Sequence, residues 1–200
     1  MKESTLVLAL DTSHQRGSVA VSRGEETLAE ILFDASDTHS ATLLPSVDAC
    51  LRSAKASLAD VDLIGVISGP GSFTGIRIGL ATAKAFAAVR RVPVSPVSSV
   101  EVLAAAFPYA AYPVLPLIDA RRGEVYGALL RTDEGVPREI VPLFAAKPET
   151  IGDVLTYTDT DTTLVKNTTY YYEITANGSC AATSAEVYAT TACANPSVPA

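Results

Sequence analysis

Residues 68–80 read SGPGSFTGIRIGL and hold the densest set of groups that could do chemistry. Gly69 and Gly71 follow an apolar run, Ser72 comes next, and Gly75 enters a helical stretch. Bare backbone N–H groups at such a helix start can present an anion site. Ile76 stands where a Walker A loop needs lysine, and the glycine spacing is not the dinucleotide G-x-G-x-x-G, so neither nucleotide fingerprint is satisfied. Asp11-Thr12-Ser13 closes the first apolar run. A carboxylate followed by two hydroxyls can hold a phosphate-bound metal there, or Asp11 can simply close an Asx turn.

The same glycines admit a packing role. Gly75, Gly79, Ala83 and Ala87 recur every four residues and leave one helix face almost without bulk, so another helix can approach it closely. That element is either the chain's own helix over 40–56 or a partner's. Arg77, off this face, is a solvated helix charge or reaches an anion beside the glycine loop. Asp119, Arg121, Arg122 and Glu124 cluster around one tight turn and read as a solvated hairpin tip. For metal chemistry there are only His14 and His39, twenty-five residues apart, without H-x-x-x-H or a cysteine cluster, so neither a zinc site nor a Ser-His-Asp triad is expected.

The elements that must position these residues alternate in type. Runs at Thr5–Asp11, Gly17–Ser22 and Thr27–Phe33 predict a three-strand meander, with a charged turn at Arg23–Glu26. Leu43, Leu44, Val47, Cys50 and Leu51 fall at helical spacing over 40–56, behind Thr38 or Ser40 as a cap. A buried strand at Val61–Ser68, a helix at Phe73–Val89 and a strand at Pro93–Val97 complete an α/β unit with a mixed sheet. After a helix at Val100–Phe107 the opening theme repeats: strands at Pro113–Ala120, Glu124–Arg131 and Ile140–Phe144, then a helix over 148–155.

The 200 residues suffice for a substantial apolar core, with 48% hydrophobic and 18% charged residues. A net charge of −7 offers no global basic field for nucleic acid. The most apolar stretch, 104–118, has fifteen residues broken by Pro108, Pro113 and Pro116, short of the ~20 that a bilayer requires. No signal-peptide core precedes Asp11, so neither a membrane span nor secretion is expected, and the head is placed in the cytoplasm. Character changes near residue 155. Residues 1–154 hold 18 acids and 14 bases; residues 155–200 hold 4 acids, one base, eleven threonines and five of the eight tyrosines. This tail predicts strands at Tyr170–Ala176 and Ala185–Thr191 around an Asn177-Gly178 turn. Three units result: 1–98, a shortened 99–154, and the tail 155–200. Cys180 and Cys193 could pair in an oxidising compartment, whereas the head, with Cys50 as its single thiol, belongs in a reducing one.

Three segments of the head, LALDTS, SGPGSFTGIRIGLATAKAFA and LIDARRGEVYGALL, resemble the bacterial TsaB (YeaZ) family of tRNA threonylcarbamoyladenosine synthesis over about residues 5–150. The resemblance implies the actin-like ATPase (ASKHA, ribonuclease H-like) fold, with the first half complete and the second truncated. It implies a noncatalytic paralogue of TsaD, the subunit that carries the metal and transfers threonylcarbamoyl to adenosine 37 of tRNA. The missing H-x-x-x-H agrees with that division of labour. No catalytic residue, metal or cofactor of its own is then expected; ATP and metal sit on the partner subunits, a TsaD-like enzyme and a TsaE-like ATPase, and tRNA is met only through the complex. In the family the two helices of the first half pack against those of TsaD or of a second copy. By position this makes Leu43, Leu44, Val47, Gly75, Arg77, Gly79 and Ala83 the partner interface, and Asp11, Thr12, Gly69, Gly71 and Ser72 a vestigial nucleotide or anion loop. The tail resembles the last strands of a fibronectin type III domain, too short for a whole one. Two rival readings remain: an active actin-like ATPase or kinase using Asp11 and the Gly69–Gly75 loop, and an extracellular binding module suggested by the tail.

Overall fold

The computed structural model describes residues 5–34, 39–151, 169–172 and 187–190. Strands β1 (Leu6–Asp11), β2 (Arg16–Arg23) and β3 (Glu26–Asp34) form the expected antiparallel meander. Alternation decides their faces: Leu6, Leu8 and Leu10 of β1, with Val19 and Val21 of β2, all point to one buried side. Gly17 is required here because a Cβ would meet the Phe33 ring at 2.5 Å.

Helix α1 (His39–Ser53) lays Leu43, Val47, Cys50 and Leu51 onto that side. Pro45 within the helix is exposed, while the Ser46 hydroxyl donates to the Thr42 carbonyl one turn back. Strand β4 (Leu63–Gly69) pairs parallel with β1, and β5 (Val94–Ser98) parallel with β4, giving the sheet order β3-β2-β1-β4-β5. Helix α2 (Phe73–Arg90) crosses between β4 and β5 and closes the core through Ala83. Strand β4 starts later than Val61, where the sequence places it. Ser57 donates from both its N–H and its hydroxyl to Asp60 Oδ2, which winds Leu58–Asp60 into a 3₁₀ turn and uses Val61 as its cap.

Helix α3 (Ser99–Ala105) contacts β4, β5 and the second sheet. That sheet has the order β6-β7-β8, from Leu117–Arg121, Glu124–Arg131 and Arg138–Ala146. Val100 and Ala104 pack on Ile118, Ala128 and Leu130 as a smaller core. The first strand is shorter than Pro113–Ala120, since Pro113 and Pro116 lack the N–H a ladder needs; Val114 alone keeps a bridge, to Leu130. The third is longer than Ile140–Phe144 and tolerates Pro142 because the β7–β8 register shifts between Gly127 and Leu129. The opening meander is thus repeated, as the sequence implies.

Of the helix expected over 148–155, the described residues contain a 3₁₀ turn, Pro148–Thr150, and Ile151; the rest lies outside them. In the tail, β9 (Thr169–Tyr172) and β10 (Val187–Thr190) pair antiparallel. The Asn177-Gly178 turn, Cys180 and Cys193 lie outside the described residues, and the fibronectin resemblance is not borne on by these two short strands.

Candidate functional site

Asp11, Thr12 and Ser13 leave the end of β1 beside the Gly69–Ser72 loop at the end of β4, where open α/β sheets bind ligands. The two loops are stitched together. The Ser72 N–H donates to the Ser13 carbonyl at 2.6 Å, and a Cβ on Gly71 would meet that carbonyl at 2.5 Å. Asp11 Oδ1 accepts from the Ser13 N–H at 2.8 Å and from its hydroxyl at 2.6 Å, and that hydroxyl also meets His14 Nδ1 at 2.8 Å. Asp11 therefore closes the Asx turn that was one of its two sequence readings. Ser72 caps α2, its hydroxyl accepting from the Gly75 N–H at 3.3 Å. The Thr12 hydroxyl, buried with its residue only 2% exposed, donates to the Gly75 carbonyl at 2.7 Å. The five residues expected together (Asp11, Thr12, Gly69, Gly71, Ser72) lie on these two adjoining loops, but the Ser72–Ser13 and Thr12–Gly75 bonds tie the segments to each other and the remaining bonds stay within one segment. Among the described residues no cluster of three or more His, Cys, Asp or Glu is placed to hold a metal ion.

The expected partner interface divides. Gly75, Gly79 and Ala83 are buried in the chain itself: a Cβ on Gly79 would overlap the Thr12 hydroxyl and touch Val66 of β4. This corrects the reading in which the small face awaits a partner's helix, because the end of β1 and strand β4 already occupy it. Leu43 and Val47 likewise belong to the core. Leu44 and Arg77 do face outward, Leu44 being 52% exposed. The residue that sequence reasoning missed is Phe73, 74% exposed, with the Arg77 guanidinium 5.1 Å from its ring centroid. A helical wheel contains the signal: Phe73, Arg77 and Ala81 sit two residues off the Gly75-Gly79-Ala83 row, roughly 200° around the helix.

Phe73, Thr74, Arg77, Ile78 and Ala81 line a shallow hollow on α2. A second groove runs between α1, the 3₁₀ turn and Phe86 of α2, bordered by Leu44, Asp48 and Arg52. Asp48 and Arg52 form an exposed ion pair one turn apart at 2.6 Å. Arg90 ties the end of α2 to the 3₁₀ turn, donating from Nε to the Leu58 carbonyl at 2.8 Å and from a terminal nitrogen to the Ala59 carbonyl. Asp60, accepting from the Ser57 hydroxyl and N–H, has its carboxyl held below the usual range. Burial pushes the Cys50 thiol up, with Glu30 adding to it, and its Sγ–H faces the Val19 and Ala29 carbonyls at 3.5 Å. The hairpin tip is as read: Arg122 and Gly123, at φ 56° and 78°, turn β6 into β7 with Arg121, Arg122 and Glu124 in solvent.

A sheet of order 3-2-1-4-5, with an antiparallel meander and two parallel strands, is that of the actin-like ATPase fold. The model of the family described as "TsaD: tRNA N6-adenosine threonylcarbamoyltransferase" matches residues 33–142. The tRNA threonylcarbamoyladenosine biosynthesis protein TsaB of Bacillus subtilis is 37% identical over 136 residues, 68% of this chain and 59% of that protein. TsaB of Escherichia coli is 36% identical over 130 residues, 64% of this chain and 56% of that protein. The solved structure "YeaZ from Pseudomonas aeruginosa" superposes with a TM-score of 0.67 at 33% identity, covering 72% of this chain and 68% of that one. The chain belongs to the TsaB (YeaZ) family. It spans less than two thirds of the length of these curated relatives. No helix among the described residues is long and apolar enough to cross a membrane.

Proposed function

We propose that this chain is a noncatalytic scaffold in the synthesis of N6-threonylcarbamoyladenosine at position 37 of tRNA, presenting α1 and α2 to a TsaD-like catalytic subunit. The observation that carries the reading is the outer surface of these helices. Leu44 and Phe73, large apolar side chains, are spent on solvent although both helices bury their inner faces well. The family and the named pathway of the relatives supply the partner. A TsaE-like ATPase joins the same assembly, nucleotide and metal belong to the partners, and tRNA is reached through the complex in the cytoplasm. A second copy of the chain competes for the same helices.

The test is co-purification with a bacterial TsaD of the wild type, Phe73→Asp, Leu44→Asp and a control, Val136→Asp, at an exposed position of the loop between β7 and β8. Truncating or charging an apolar anchor at an interface centre costs about 2 kcal/mol or more, so the two helix variants should bind at least about thirtyfold more weakly. The control should bind as the wild type does. Equal binding by all four chains refutes the proposed interface, and phosphate release from ATP by the isolated chain would favour the active-enzyme reading instead.

A further inference from the structure

The loop that resembles a nucleotide-binding turn is joined directly to the helix proposed to dock the partner. Thr12 is the joint. Its side chain is buried, and a buried hydroxyl without an acceptor costs about as much as a hydrogen bond is worth. Its acceptor is the Gly75 carbonyl, one turn into α2, at 2.7 Å. A helical carbonyl has a second lone pair for such a donor. What grants access is Gly79: any Cβ there would collide with the same hydroxyl. One loop residue away, the Ser13 carbonyl takes the Ser72 N–H, so the N-terminal turn of α2 is held from two consecutive loop residues. Phe73 and Arg77 stand on the opposite side of this turn. A rotation of α2 that broke the Thr12–Gly75 bond would swing both outward side chains by the same angle.

We infer that Thr12 is a positioning residue for partner docking: its hydroxyl, seated on the Gly75 carbonyl in the space left by Gly79, fixes the rotation of α2 and so aims Phe73 and Arg77. The clasp rests on the geometry alone, and its consequence for docking rests on the scaffold reading above. A turn that could have held a phosphate is thereby put to mechanical use.

The test compares Thr12→Val, which keeps the shape and removes the donor, with Thr12→Ser, which keeps the donor. Hydrogen–deuterium exchange over residues 73–81 of the full chain is read beside the affinity for a bacterial TsaD. In Thr12→Val, exchange in this segment should rise about fivefold, the scale of one net hydrogen bond, while β2 exchanges as in the wild type. Affinity should fall at least about threefold, and Thr12→Ser should restore both readings. Unchanged exchange in Thr12→Val overturns the clasp. Faster exchange with unchanged affinity overturns the role in docking. If the wild type itself fails to bind TsaD, the scaffold reading and the docking role fall together, while the exchange arm still decides the clasp.

Discussion

Adding one methyl group at Gly79 should change stability in opposite directions depending on what stands at residue 12. Alanine improves a helix interior over glycine by about 1 kcal/mol. In the wild type that gain is outweighed, because the new Cβ overlaps the Thr12 hydroxyl. Either α2 lifts from β4, an overpacking cost of about 1–3 kcal/mol, or the hydroxyl turns away from Gly75 and stays buried without an acceptor, costing about 1–3 kcal/mol. The expected net effect of Gly79→Ala is a loss of about 1 kcal/mol, the cost less the helix gain. In a Thr12→Ala background the obstacle is gone. The nearest remaining side-chain atom, Val66 Cγ2, lies 3.6 Å from the new Cβ, an ordinary contact. The helix preference then stands alone, and Gly79→Ala should stabilise by about 0.5–1 kcal/mol. A double-mutant cycle by urea unfolding, read from midpoints at constant m, should give a coupling of about 2 kcal/mol, the cost of the overlap itself. Additive effects of the two substitutions would refute the placement of this helix face.

Three further outcomes follow from the core. In a Cys180→Ser/Cys193→Ser background, Cys50 should resist a thiol reagent until the protein is unfolded, because it is fully buried. Its raised thiol also gives a pH signature. The folded state keeps the proton longer than the unfolded one, so the stability contribution is intact below the ordinary value of 9.0 and is lost as pH rises through the raised value. The urea midpoint should therefore fall more steeply above pH 9 in this background than when Cys50→Ala is added. Leu8→Ala, at a fully buried position of the central strand, should cost about 3 kcal/mol in the same unfolding assay, and a loss below about 1 kcal/mol would contradict the packing described.

Much of this architecture is legible in the sequence. The apolar run at Thr5–Asp11 and the alternation at Gly17–Ser22 were enough to place two strands, whereas their buried face and the Ser72 cap of α2 emerge only in the structure. The spacing of Gly75, Gly79 and Ala83 showed that something must come close. It did not show what, since a period of four is satisfied equally by a sheet and by a partner helix, and only the three-dimensional position of Thr12 and Val66 decides it. Asp11 was ambiguous for the same reason: its partner Ser13 is only two residues on, but the choice between turn closure and ligand binding depends on how the Gly69–Ser72 loop crosses it. The outward Phe73 is not legible from the small-residue spacing, because it lies on the opposite side of the helix from that row and an apolar residue at a helix start is equally compatible with burial.

Among the described residues β3 is the last strand on its side of the five-stranded sheet, and its length carries Glu26, Glu30 and Asp34, with a register irregularity against β2 at Val21/Ser22. An unpaired strand border is where an intruding chain would add itself. Here such an intruder, if it were a second copy arriving border to border, would bring its own row of carboxylates against this one. The sheet's margin is thus a colloidal barrier as well as a boundary of the fold, strongest in dilute buffer and weakening as salt shortens the reach of charge to a few ångströms.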